Sequence, residues 1–424
     1  MPGNLAEIPE LPLDEAFALT AAFKADQHPQ KVSLGAGVYR DGQGKPWILP
    51  SVREAKRILH ETENLDHEYL PIQGSVPFLN LAKDLILGKS LASSVNAVSV
   101  QTISGTGANH VGAQFLAQQL QPRHVFISDP TWNNHHLVWT VGAPGVKQKT
   151  YPYYDAATQS LDFNGMIKSL EDDAVENDVV ILHACAHNPT GIDPTQEQWQ
   201  EIAQVVRRKK LFAFFDCAYQ GFATGDPDID AYSVRYFTET MFSTEGSMTK
   251  QDNGPAGMCI AQSFAKNFGL YGERVGAFHL VLPSLTPNSG AYSQLLRLGR
   301  AEISNPPLFG ARIVYTILSS SELRSIWLQD LKTMARRIGD VRATLRRQIE
   351  ARPHSGDWGH LESQIGMFSF TGLNEKQVLR LRHVHHIYLM LNGRASLSGV
   401  NQDNVEYVAA AFNEVVRYGG DSTS

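Results

Sequence analysis

Short apolar runs recur through the middle of the chain, and helical stretches, with apolar positions spaced three and four residues apart, separate them. The runs VSVQTIS (98–104), HVFIS (124–128), DVVILHA (178–184), LFAFFD (211–216), MCIAQSF (258–264) and GAFHLVL (276–282) are strand-like and apolar enough to be buried on both faces. Strands alternating with helices predict an α/β fold with a mostly parallel sheet covered on its faces. One helix announces its own ends. Thr195 and Gln198 form a capping-box pattern after Pro194, Trp199, Ile202, Val205 and Val206 share a face, and Arg207, Arg208, Lys209 and Lys210 suit the C-terminal dipole.

After residue 325 the spacing becomes that of a long helix, with Trp327, Leu331, Met334, Ile338, Val341 and Leu345 in steps of four and three. Its other face carries Arg336, Arg337, Arg342, Arg346 and Arg347, which are expected in solvent. The pattern stops after about three heptads, too few for a coiled coil. Strand-like IYLML from Ile387 and the helical NVEYVAAAFNEVV from Asn404 predict a terminal α+β unit. His383, His385 and His386 are expected as solvated helix residues, and TEGSMTKQDNGPAG from Thr244 as a polar loop.

Composition narrows the class. The 424 residues hold 37 Lys+Arg against 43 Asp+Glu, a net charge of −6, so no bulk positive charge draws the chain to nucleic acid. Hydrophobic residues make up 42% and charged residues 19%, which predicts a large buried core rather than disorder. No apolar run approaches the ~20 residues of a membrane span. The first thirty residues carry Glu7, Glu10, Asp14, Glu15 and Asp26 against Lys24 alone, unlike an Arg-rich organelle leader, and the last residues are no peroxisomal address. A cytoplasmic protein is expected. Cys185, Cys217 and Cys259 are odd in number and widely spaced, and they read as reduced core residues.

The candidate chemistry lies where strands end. SGTGANHVGAQFLAQQL from Ser104 puts small residues and two hydroxyls at a helix start, where backbone N–H groups suit a phosphate. It is neither a P-loop nor a dinucleotide fingerprint, and GAGVYRDGQG from Gly35 also lacks the Rossmann spacing. ILHACAHNPTGIDP leaves Asn188 at a strand mouth, LFAFFDCAYQGF ends in Asp216 and Tyr219, and CIAQSFAKNFGLYGERVG places Ser263, Lys266 and Arg274 at a third exit. Groups at the carboxyl ends of parallel strands face the crevice in which such sheets bind ligands. A lysine beside a buried acid, a phenol, an amide and a phosphate cradle is the set that pyridoxal phosphate requires.

With these motifs in order, from about Leu13 to Val416, the sequence resembles the aspartate aminotransferases, fold-type I enzymes that use pyridoxal 5'-phosphate. The resemblance implies that Lys266 holds the cofactor covalently and, once free, shuttles a proton, for which a desolvating, cation-lined site should lower its pKa. It implies that Asp216 keeps the pyridine nitrogen protonated and that Asn188 and Tyr219 partner the ring oxygen. Ser104, Gly105, Thr106, Ser263 and Arg274 would hold the phosphate, with Tyr69 reaching in from a neighbouring subunit. Trp132 would cover the ring, with His135 supporting Asp216. Arg394 and Asn188 would take the substrate α-carboxylate, Gly37 would add a backbone contact, and Arg300 would cross the interface to the distal carboxylate.

The family further implies a seven-stranded, mostly parallel sheet in a large domain at residues 47–331. A smaller α+β domain would combine 15–46 with 332–424, and an arm at 1–14 would embrace the partner of a homodimer with shared sites. The implied reaction is L-aspartate + 2-oxoglutarate to oxaloacetate + L-glutamate, by a ping-pong cycle. Related aminotransferases with aromatic or unusual donors, pyridoxal-phosphate lyases and racemases use the same lysine, acid and cradle. A non-catalytic binder would dispense with Lys266. His183 and His187 around Cys185 suggest metal ligands only in isolation; no metal, nucleic-acid or membrane partner is expected. Ala265, Asn109, His110 and Met390, Leu391 and Asn392 depart from the commonest family pattern.

Overall fold

The computed structural model describes residues 8–243, 254–353 and 356–420, so most of the loop expected from Thr244 and half of the expected arm lie outside the described residues. Seven strands form the main sheet: β1 Asn96–Ile103, β2 His124–Asp129, β3 Lys147–Pro152, β4 Val179–His183, β5 Phe212–Cys217, β6 Met258–Ser263 and β7 Val275–Leu282. Their order is β1-β7-β6-β5-β4-β2-β3. β7 runs antiparallel to both β1 and β6, and the other pairs are parallel. β4, β5, β6 and β7 are buried at every position, as their unbroken apolar character predicted.

β3 is the strand that the apolar pattern did not predict. Its sequence KQKTYP lies at the sheet edge with only Tyr151 buried, and exposed lysines at such an edge discourage pairing with other chains.

The helices that position the site are α1 Glu15–Ala25, α2 Ser104–Gln119, α3 Asn134–Gly142, α4 Gln196–Arg208, α5 Ser289–Glu302, α6 Ser321–Glu350 and α7 Val405–Gly420. At α4 the capping box is reciprocal: Gln198 N–H donates to Thr195 Oγ1 at 3.2 Å, and Thr195 N–H to Gln198 Oε1 at 2.9 Å. Helix α6, 30 residues long, belongs to two cores. Leu323, Trp327, Leu331, Met334 and Ile338 pack with residues of the main-sheet unit, whereas Leu345 and Ile349 pack with Val32, Leu34, Leu389 and Phe412. The second core holds two small sheets, Val32–Ser33 with Ile387–Tyr388 and Phe368–Phe370 with Arg394–Ser396.

Two expectations for the polar positions need correction. Arg342 is not in solvent: it is 3% exposed, and its guanidinium donates to the carbonyls of Leu361, Gly366 and Phe368 at 2.7, 2.9 and 2.5 Å. Those carbonyls come from a short helix, a turn and the start of a short strand, and one buried cation satisfies all three. Of His383, His385 and His386 only the first is exposed; His385 pairs with Glu414 at 3.0 Å and His386 with Asp26 at 2.7 Å. Cys185, Cys217 and Cys259 are buried free thiols. No helix among the described residues is long and apolar enough to cross a membrane.

Candidate active site

β1, β4, β5 and β6 deliver their last residues to one end of the sheet, and a cavity of about 410 Å³ opens there. Its walls include Gly37, Ser104, Gly105, Thr106, Trp132, Asn188, Asp216, Tyr219, Ser263, Lys266, Arg274 and Arg394, so twelve residues expected from sequence meet in one place. Tyr69 and Arg300 do not line it. Tyr69 is 87% exposed, and Arg300, also exposed, donates to Ser304 Oγ at 2.5 Å. Ser304 bonds Asn305, whose side chain donates to Leu70 O at 2.7 Å, which ties the Arg300 and Tyr69 segments into one exposed ledge.

The floor of the cavity is electrostatic. β4 and β5 lie in parallel register with His183 opposite Asp216. Asp216 Oδ2 is 2.9 Å from His135 Nε2, and Thr131 Oγ1 lies 2.9 Å from His135 Nδ1 and 3.3 Å from His183 Nε2. Burial opposes ionisation of Asp216. The His135 hydrogen bond and the charges of His135, His183 and Lys266 overcome it and hold the carboxyl below its ordinary value. Burial lowers the pKa of Lys266; Asp216 opposes that shift and Arg274 adds to it, so the amine is biased toward its neutral form. Lys266 Nζ stands 4.9 Å from the Tyr219 ring centroid, and burial raises the Tyr219 phenol.

The other wall is a cradle. Ser104 opens α2 directly after β1, so free N–H groups of the first helical turn gather beside the hydroxyls of Ser104, Thr106 and Ser263. Ser104 Oγ and Ser263 Oγ are 3.3 Å apart. Gly105 permits this approach: a Cβ there would come within 2.9 Å of the Ser263 Cβ. Asn109 Oδ1, on the next turn, is buried with no hydrogen-bond partner among the described residues, while its amide donates to Gly105 O at 2.9 Å. Arg274 adds a cation, which burial makes less basic than usual.

Arg394 enters from the small-sheet unit. It donates to Asn188 Oδ1 at 3.3 Å and to Gly35 O at 3.0 Å, and its guanidinium carbon lies 4.3 Å from the Phe368 ring centroid. Its Nε is buried and unpaired. A planar cation with this much open donor capacity is suited to a carboxylate. The Phe368 carbonyl in turn accepts a hydrogen bond from the Arg342 guanidinium.

Sequence reasoning missed Thr131, Tyr271, Phe368 and the role of His183. Tyr271 lines the cavity and its hydroxyl accepts from Tyr39 N–H at 2.9 Å. His183, which suggests a metal ligand only in isolation, supports the Asp216 network, while His187 lies 3.0 Å from Ser128 Oγ and 2.8 Å from Thr190 Oγ1. The parallel register of β4 and β5 is what sets His183 beside Asp216.

These donors fit pyridoxal phosphate. A buried amine biased to neutrality suits its aldehyde, an ionised buried acid suits its ring nitrogen, and the amide and hydroxyl cradle with Arg274 suits its phosphate.

Comparison with known proteins agrees. The family model for aminotransferase class I and II matches residues 29–412. An L-tyrosine:2-oxoglutarate aminotransferase of Aspergillus ustus is 45% identical over 411 residues, 95% of this chain and 76% of that protein. The solved aspartate aminotransferase from Saccharomyces cerevisiae cytoplasm superposes with a TM-score of 0.92 at 43% identity, covering 97% of this chain and 98% of that one. An aromatic-amino-acid aminotransferase of Burkholderia pseudomallei, covalently bound to pyridoxal phosphate, gives 0.90 at 37% identity, covering 97% and 100%. Matched across nearly its whole length by sequence and by structure, the chain belongs to the class I and II aminotransferases.

Proposed function

We propose that the protein is a cytoplasmic, pyridoxal-phosphate-dependent aspartate aminotransferase converting L-aspartate and 2-oxoglutarate to oxaloacetate and L-glutamate by a ping-pong cycle. The observation that carries this reading is the single cavity joining Lys266, Asp216, the Ser104–Ser263 cradle and Arg394. Pyridoxal phosphate, when bound, supplies an aldehyde that carries the amino group and a ring that delocalises the charge left at a deprotonated Cα. In this reading Ser104, Gly105, Thr106, Ser263 and Arg274 hold the phosphate, and Asn188 and Tyr219 hydrogen-bond the ring oxygen. Asp216 keeps a proton on the ring nitrogen, oriented by His135. Trp132 covers the ring and excludes water.

Arg394 orients the amino acid through its α-carboxylate, with Asn188 and a Gly37 backbone contact beside it. The Lys266 amine, biased toward neutrality, would then take the proton from the substrate Cα and deliver it to the cofactor carbon that carries the amino group. Arg300 and Tyr69 act in the partner's cavity, because both stand on the exposed ledge rather than in their own chain's site; the protein is accordingly a homodimer with shared sites. The reading includes the domain division at 15–46 with 332–424 and 47–331, which the two separate cores meeting along α6 support, plus an arm at 1–14.

A second reading, an aromatic donor, is favoured by the apolar part of the cavity wall, formed by Ala16, Phe17, Ala36 and Phe368. A panel of amino donors with 2-oxoglutarate separates the two. Aspartate is expected to give the highest kcat/KM. Tyrosine or phenylalanine exceeding it by about tenfold or more, ~1.4 kcal/mol, would replace the first reading by the second.

A further inference from the structure

Two residues beside the cavity have no part in the scheme above. His110 lies one turn beyond Thr106 on α2, and Glu302 closes α5 two residues after Arg300. His110 Nδ1 and Glu302 Oε1 are 3.0 Å apart, with the side chains 30% and 24% exposed. Both line an apolar hollow of about 590 Å³ whose wall also includes Thr106 and Arg274, so this hollow and the cofactor cavity share two residues. The groups facing His110 are few. Glu302 comes from α5, Gln114 Nε2 lies 3.4 Å away on α2, Asn134 lines the hollow from α3, and Arg274 is the remaining charged residue of its wall.

We propose that His110 is a positioning residue for dicarboxylate recognition, holding Glu302 so that the last turn of α5 is fixed and the charge of Arg300 remains available to the substrate's distal carboxylate. This rests on the reading of Arg300 as the group that meets that carboxylate. Glu302 stands at the negative end of the α5 dipole, an unfavourable place for an acid without a counter-charge. His110 supplies one from the neighbouring helix. Without it, Glu302 would stand uncompensated at that helix end, and the turn that carries Arg300 would lose its tie to α2. Among the described residues Arg300 has only the Ser304 hydroxyl as its hydrogen-bond partner, so its placement depends on the turn that carries it.

The bond to Glu302 raises the His110 pKa above the usual imidazole value, against the opposing effect of burial. The ion pair is therefore complete below the ordinary value of about 6.5 and is lost as pH rises through the raised one. Monocarboxylic donors such as tyrosine carry no distal charge and provide the internal control.

The test uses the cofactor-loaded dimer with wild type, His110→Ala, His110→Gln, His110→Lys and Arg300→Ala, between about pH 6 and 9. KM and kcat are measured for aspartate, 2-oxoglutarate and tyrosine, together with equilibrium binding of succinate, a dicarboxylate that cannot react. His110→Ala and His110→Gln should raise KM for both dicarboxylates and weaken succinate by roughly 3- to 10-fold, with kcat and the tyrosine KM within about twofold. The glutamine variant serves if the alanine variant folds poorly. In wild type the aspartate KM should climb as His110 loses its proton, and His110→Lys should keep it low and flat. If Arg300→Ala penalises dicarboxylates while the His110 variants leave them unchanged, or impair every donor alike, the positioning role is overturned and the Arg300 reading stands. If Arg300→Ala spares dicarboxylates, both fall.

Discussion

Arg394 and Arg300 are given opposite settings by the same chain. Arg394 is half-buried, tied to Asn188 and Gly35, and backed by the Phe368 ring. Arg300 is exposed and held by one hydroxyl. The difference follows what each is proposed to meet. Every amino acid presents the same α-carboxylate, so its receptor gains from being fixed before substrate arrives. Side chains differ, and a receptor that must meet both a four-carbon and a five-carbon dicarboxylate gains from freedom. Rigid chemistry and adaptable recognition are thus separated between the cavity and the ledge.

The strongest test of the rigid side is its centre. Lys266→Ala should abolish multiple-turnover transamination, while the protein still folds and retains pyridoxal phosphate noncovalently; sustained turnover would remove Lys266 from its role. Asp216→Ala should also lose most activity with cofactor bound, because an unprotonated ring withdraws charge poorly, and near wild-type rates would contradict that.

The two arginines come next and test the comparison directly. Removing one partner of a buried, hydrogen-bonded charge pair costs ~2 to 5 kcal/mol, roughly 30-fold to several thousand-fold. Arg394→Ala should impose that loss in kcat/KM on every amino acid. Arg300→Ala should impose it on aspartate and 2-oxoglutarate but leave tyrosine little changed or improved. Equal losses across donors in both variants would erase the distinction. Mixed dimers then ask where the ledge acts. One Arg300→Ala subunit paired with one Lys266→Ala subunit should keep about half the aspartate activity if Arg300 serves the partner, since both lesions fall in one site. Near-complete loss would place Arg300 in its own chain's site.

A smaller effect concerns acid. The depressed Asp216 pKa contributes stability that is present above the ordinary carboxyl value of about 4 and lost as pH falls through the lowered one. His135→Phe removes the main cause, so the acid unfolding midpoint of the apo protein should move to higher pH. An unchanged or lower midpoint would show that His135 does not hold the carboxyl down.

How much of this was legible in the sequence depended on whether a residue's neighbours were local. β4, β5 and β6 were readable because burial on both faces leaves an unbroken apolar run, and Asp216 and Lys266 because they follow such runs. β3 was not, since an edge strand is specified by its neighbour's hydrogen bonds and not by its own hydrophobicity. Arg342 was misplaced because helical spacing gives a direction and not what stands there; the carbonyls of Leu361, Gly366 and Phe368 arrive from a later segment that spacing cannot see. Thr131 escaped notice because its importance comes from two histidines brought to it by separate elements.

Helix α6 has a mechanical consequence. At 1.5 Å per residue its 30 residues make a rod of about 45 Å, clamped at one end in the main-sheet core and at the other in the core that carries Arg394. Any rotation of Arg394 toward the strand ends must bend this rod or slide one clamp along it. Gly339 lies just after Ile338, the last contact of the first clamp, and nothing stands within 4 Å of where its Cβ would be. An alanine there would stiffen the rod at its softest point, adding roughly 0.5–1 kcal/mol to the helix while leaving both cores and the whole cavity wall untouched. The stiffness of the connection is thereby adjustable at one position, independently of the chemistry it serves.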